Sequence, residues 1–126
     1  MHVVLTTCTP DKAQDPGLLP AVERYRGPWV DKALARSRDS GCPLFFLSGV
    51  YGIIPADEPL PLYDHALQPE EVDTLVIRAT AQLQSHGITT ITALLRPPAT
   101  PGWAPYHQVL EASCQRVGLA LSITEI

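Results

Sequence analysis

The sequence predicts an α/β domain: a three-layer sandwich with a four-stranded parallel sheet, expected in spatial order 2-1-3-4. Three observations predict it. Short apolar runs alternate with stretches of helical periodicity along the chain. The first two runs look buried on both faces, as strands in the middle of a parallel sheet are. Strand–helix–strand units of this length close through right-handed crossovers. No internal repeat and no linker is visible, so residues 1–126 are read as a single domain.

Val3 to Thr7 is short and β-branched and reads as the first strand. A loop follows to Tyr25-Arg26-Gly27. Pro28 suits the first turn of a helix, expected over about 28–40 with Val30, Ala33 and Leu34 on one face. Gly41 is a natural stop. Leu44-Phe45-Phe46-Leu47 is the second strand. It runs into Leu47-Ser48-Gly49-Val50-Tyr51-Gly52, and then into a proline- and acid-rich loop from Ile53 to Leu67. Pro69-Glu70-Glu71 opens the second helix, its acids placed to suit the positive end of the dipole. Val72, Leu75, Val76, Ala79 and Leu83 then share one face, and Gly87 closes the helix. Ile88 to Leu95 is the third strand. The loop Arg96-Pro97-Pro98 to Trp103 leads to a third helix over about 105–117, capped by Gly118. Leu119 to Ile123 is the last strand.

Composition narrows the function classes. The chain has 45% apolar residues and a mean hydropathy near zero, +0.06, which is ordinary for a soluble globular protein. The formal net charge is −4, and Lys12 and Lys32 are the two lysines. That is not the basic footprint of a protein gripping long nucleic acid non-specifically. No signal peptide pattern and no apolar run of roughly 18–20 residues is present, so no membrane partner and a cytoplasmic setting are expected. Three widely spaced cysteines, Cys8, Cys42 and Cys114, argue against a disulfide framework. No zinc-ligand spacing occurs, so neither a metal nor a cofactor is expected.

Ligands of open parallel sheets bind beyond the carboxyl ends of the strands. Three segments converge there: Cys8, Thr9 and Lys12 after the first strand, Ser48, Tyr51 and Gly52 after the second, and Arg96 to Trp103 after the third. Each has two readings. Gly49 and Gly52 either tighten a turn over Tyr51 or let backbone amides approach an anion or a base. The turn matches neither the dinucleotide nor the P-loop fingerprint. Cys8 is either a small buried residue or a thiolate nucleophile activated by Lys12 or a histidine. Lys12 is a solvated loop lysine or a contact for phosphate or carboxylate. Tyr63-Asp64-His65 is a plug with an aspartate capping a turn, or a source of acid–base chemistry. Trp103, Tyr106 and His107 either fill the core and rim or form a stacking wall for a base.

These residues also carry a resemblance. The chain resembles a family of small bacterial and phage domains with a Ser-Ala-Lys-Tyr-Gly-Leu-like turn, a Pro-Asp segment and a Pro-Tyr-Asp. More distantly it is similar to the YaaA peroxide-stress proteins. The matching residues are Cys8 and Lys12, Tyr25-Arg26-Gly27-Pro28, Leu47 to Gly52, Pro55-Ala56-Asp57 and Leu62-Tyr63-Asp64, within about residues 3–67. Gly49-Val50 stands where the small domains usually carry Ala-Lys. The resemblance implies an α/β domain with a pocket built from these loops, and a link to DNA protection under oxidative stress.

Three functions are therefore expected. The first is binding of a nucleotide, nucleobase or nucleic-acid end, with Lys12 and Arg26 at phosphate, Tyr51 and Tyr63 stacking, and Thr9, Tyr25, Gly49 and Gly52 shaping the site. The second is an enzyme acting on an N-glycosidic or related nucleoside bond, with Cys8, Ser48 and Asp64 as candidate catalytic groups. The third is a non-catalytic interaction module. Oligomeric state is not legible.

Overall fold

A computed structural model describes all residues, Met1–Ile126. In chain order the elements are β1 (His2–Thr7), β2 (Leu19–Pro20), α1 (Ala21–Arg24), α2 (Pro28–Ser40), β3 (Leu44–Ser48), β4 (Gly52–Pro55), β5 (Pro59–Leu60), a 3-10 turn (Pro69–Glu71), α3 (Val72–Ser85), β6 (Thr90–Leu95), α4 (Ala104–Val117) and β7 (Ala120–Glu125).

The fold is mixed α/β around a five-stranded, mostly parallel sheet in the order β4-β3-β1-β6-β7. β1 pairs in parallel with β3 and β6, and β6 with β7. The expectation of four parallel strands is corrected at one edge. β4 folds back antiparallel on β3, pairing Ser48 with Gly52 and Leu47 with Ile53. The reversal needs a residue that accepts a left-handed backbone, and Gly52 has φ +75°. The flanking prolines made Ile53 and Ile54 read as loop, yet both are buried.

Two expected loops are also corrected. The stretches 9–27 and 53–67 are tied together by a second, two-stranded sheet of β2 and β5, and a Lys12–Tyr25 bridge closes the first stretch on itself. Both therefore hold defined positions at the end of the main sheet.

Right-handed crossovers place α2 on one face and α3 with α4 on the other. Accordingly α3 packs against α4, while α2 packs against β1, β3 and β6. The core is filled by Val3 and Leu5 of β1, Phe46 and Leu47 of β3, Ile53 of β4 and Ile91 and Leu95 of β6, all fully buried. Each such side chain contributes about 1.5–3 kcal/mol over its exposed state. The α3 face is Val72, Leu75, Val76, Ala79 and Leu83, as its periodicity predicts. No helix is long and apolar enough to cross a membrane.

Candidate functional site

β1 ends at Thr7, and the chain turns through Cys8, Thr9 and Pro10 at the carboxyl edge of the sheet. A cleft of about 210 Å³ opens there. Its walls come from four segments: Cys8, Thr9 and Lys12 after β1, Trp29 in the first turn of α2, Asp64 and His65 before α3, and Trp103 and Tyr106 at the start of α4. The volume lies below the roughly 300–1,000 Å³ of drug-sized sites, so the open cleft suits a small ligand, no larger than one nucleotide.

Lys12 is the cleft's unusual wall. It is 6% exposed, because its backbone bridges to Tyr25 and its side chain folds back under the loop. Its ammonium donates to the Thr9 carbonyl and lies 4.7 Å from the centre of the Tyr63 ring and 5.9 Å from that of Tyr25. Such cation–π contacts contribute about 0.5–2 kcal/mol each. No carboxylate pairs with it, since the one side-chain ion pair in the chain is His65–Glu71 at 2.8 Å. A buried cation with one hydrogen bond has lost more hydration than it has replaced. An anion in the cleft would restore the balance.

Behind Lys12 runs a chain of hydroxyls. Ser48 is fully buried. Its Oγ accepts the backbone N–H groups of Val50 at 3.2 Å and Tyr51 at 3.0 Å. With both lone pairs used, its proton is directed to the Tyr63 hydroxyl at 2.9 Å. Tyr63 in turn meets the hydroxyl of Tyr25, which is 1% exposed. Burial, reinforced by Cys8, pushes the Tyr63 phenol up to about 12. Burial pushes Tyr25 higher still, with Tyr63 and Cys8 adding to it. Both phenols keep their protons at neutral pH. Ser48 caps the 48–51 turn and touches no histidine, which is the geometry of a structural hydroxyl.

Cys8 faces the cleft with its Sγ 3.3 Å from the Tyr106 hydroxyl. That hydroxyl also accepts the Leu67 N–H at 3.1 Å, so Tyr106 ties the 61–68 segment to α4. Burial, with Cys8 adding to it, holds the Tyr106 phenol above its ordinary range. Asp64 lines the cleft and is exposed. His65 is exposed and turned to Glu71, whose carboxyl is held below its usual range by the Gln68 backbone N–H and then by His65.

The expected binding residues thus divide. Thr9 and Lys12 line the cleft; the Tyr63 ring lies against the Lys12 ammonium without lining it, with Tyr25 behind. Thr9 Oγ1 accepts the Arg26 N–H at 3.1 Å, while the Arg26 side chain is exposed and does not line the cleft. Tyr51 stands edge-on to the Tyr63 ring, 5.2 Å between centres and 89° between planes. It props Tyr63 from outside the cleft. The space beside both glycines is filled by the protein itself. A Cβ on Gly49 would come within 2.9 Å of the Leu67 nitrogen, and one on Gly52 within 2.2 Å of Gln82 Oε1. Gln82 reaches across from α3 to accept the Ile53 N–H at 2.7 Å and donate to the Tyr51 carbonyl at 2.8 Å. His107 is buried against the Arg96 carbonyl at 2.7 Å.

Sequence reasoning missed three residues. Trp29 donates to the Thr7 carbonyl at 3.2 Å and packs edge-to-face on Trp103, 5.2 Å between centres, so the two indoles form the cleft's aromatic wall. A tryptophan directly after Gly27-Pro28 was its signal. Gln82 sits in an otherwise polar helix face and gave none. Arg24 is fully buried, yet reads as a surface residue beside Glu23. Comparison with known proteins gives no match to a family model, to a curated protein or to a solved structure.

Proposed function

We propose that the chain binds a small nucleotide-like anion at the strand-end rim: a nucleotide, a nucleobase-bearing phosphate or a nucleic-acid end. The phosphate sits at Lys12, and the ring lies against Trp29 and Trp103. One observation carries this reading: Lys12 is a buried cation on the wall of an open cleft, with no carboxylate to neutralise it. Membership of the YaaA-like group, and with it a part in protecting DNA under oxidative stress, is carried by the motifs and belongs to the same proposal. A thermal-shift screen of nucleotides tests it. A ligand at about 100 times its Kd stabilises wild type by about 2.7 kcal/mol, and Lys12→Met cuts that to about 1.4 kcal/mol or less. No shift with any nucleotide, or an equal shift in the variant, removes the reading.

Asp64 favours a second reading. Its exposed carboxylate shares the cleft wall with Lys12, where it can stabilise the cationic sugar formed as an N-glycosidic bond breaks; water adds to the sugar carbon and its proton goes to the departing base. Chromatography of nucleosides and nucleotides after incubation would then show free base with wild type and none with Asp64→Asn. Intact substrates with wild type rule this reading out.

A further inference from the structure

A second opening, of about 410 Å³, lies on the other side of Lys12. It shares Pro10, Lys12 and Asp64 with the first cleft and adds Gln14, Leu62 and Tyr63. The two differ in character. The first has the paired indoles. The second has an amide: Gln14 uses its Nε2 on the Lys12 carbonyl at 3.0 Å, which leaves its Oε1 as an acceptor near the shared, exposed Asp64. A group bound at Lys12 therefore has room for a substituent on each side.

Charge selects among phosphates. A terminal phosphate carries about −1.5 to −2 at neutral pH, against a single ammonium. Asp64, on the wall common to both openings, opposes the surplus charge. A phosphodiester carries one negative charge, which Lys12 alone balances. Sugar hydroxyls would donate to Gln14 Oε1 and Asp64, and a base would lie on Trp103.

Building on the nucleotide reading above, we infer that the two openings together take a phosphodiester joining two nucleosides, with the linking phosphate at Lys12 and one nucleoside on each side. The −4 net charge argues against a longer strand.

Calorimetric titration of the full chain tests this with three probes: a nucleoside 5′-monophosphate, the dinucleoside monophosphate, and the same dinucleoside with a neutral methylphosphonate link. The diester is expected to bind about tenfold tighter than the monophosphate, the gain from one or two added hydrogen bonds. The neutral analogue should lose that gain or more. Leu62 is 44% exposed, so Leu62→Trp will fold; it blocks the second opening and brings the diester down to the monophosphate's affinity, which itself stays unchanged. Equal binding of diester and monophosphate by wild type overturns the two-sided site while leaving the nucleotide reading intact. Binding of neither probe overturns both.

Discussion

The chain buries two cations within one loop system, and it treats them in opposite ways. Arg24 is fully buried, and all five of its N–H groups are spent. They reach the carbonyls of Ala13, Asp15, Gly17 and Leu60 at 2.6–3.3 Å. Its planar fork pins the 13–17 loop to β5 and needs nothing else. Lys12 is nearly as buried, but its ammonium spends one N–H on Thr9 and leans on two aromatic rings. The first cation is completed by the fold, and the second keeps donors unspent, which the proposed ligand would take up. Burial alone does not distinguish them; the satisfaction of their donors does.

The largest test of that contrast removes the completed cation. Arg24→Met leaves four carbonyls without this donor, those of Ala13 and Leu60 in buried residues, and is expected to cost about 3–5 kcal/mol, read as a shift in the urea midpoint. A cost under about 1 kcal/mol would show that water readily replaces the guanidinium. Lys12→Met should instead leave the fold alone and cut phosphate-ligand affinity by about 10–100-fold, the worth of one charge-assisted contact. Undiminished affinity places the anion elsewhere.

Ser48→Ala sharpens the boundary between site and scaffold. It frees the Val50 and Tyr51 N–H groups and the Tyr63 hydroxyl, for an expected loss of about 1–3 kcal/mol in thermal denaturation. If catalysis is found and the alanine variant loses it while keeping wild-type stability, Ser48 is no mere cap. The phenols give a pH signature. Tyr63 is held near 12 in the fold against 10.0 for an ordinary tyrosine. The unfolded chain therefore releases its protons first, and stability falls as pH rises from about 10 towards 12. Tyr63→Phe should reduce that alkaline slope in urea denaturation, whereas an unchanged slope would assign it to other groups. The smallest effect is at the rim. In His65→Ala, the Glu71 carboxyl should titrate closer to its ordinary range by NMR. An unmoved Glu71 would assign its lowered pKa to the Gln68 N–H alone.

How much of this was legible in the sequence follows from range. Strands β1 and β3 and the face of α3 declare themselves through local periodicity, and Pro28 and Gly41 mark the ends of α2. The convergence of Cys8, Thr9 and Lys12 with Trp103 follows from strand-end topology, whereas Tyr63 was marked by the family resemblance. β4 stayed hidden because its four residues sit among turn formers, and only pairing with β3 makes Ile53 and Ile54 a strand. Arg24 stayed hidden because its partners are backbone carbonyls, which carry no sequence signal. Arg26, two residues on and equally cationic, is exposed. Gly49 and Gly52 suggested a tight turn or approach to an anion or base, and nothing local to them told that Leu67 and Gln82 lie against them. Tyr51 and Tyr63 both looked like ligand contacts. The difference between a wall and its prop is a matter of packing 5.2 Å apart, which a motif does not encode.

The claim that Lys12 is a cation kept for a ligand is tested most directly by the ligand-free stability of Lys12→Met in urea. Losing a carbonyl contact and two cation–π contacts is offset by relief of an unpaired buried charge, so the variant is expected within about 1 kcal/mol of wild type, or above it. A loss of about 3 kcal/mol or more, matching Arg24→Met, would contradict the account and make Lys12 a second structural cation.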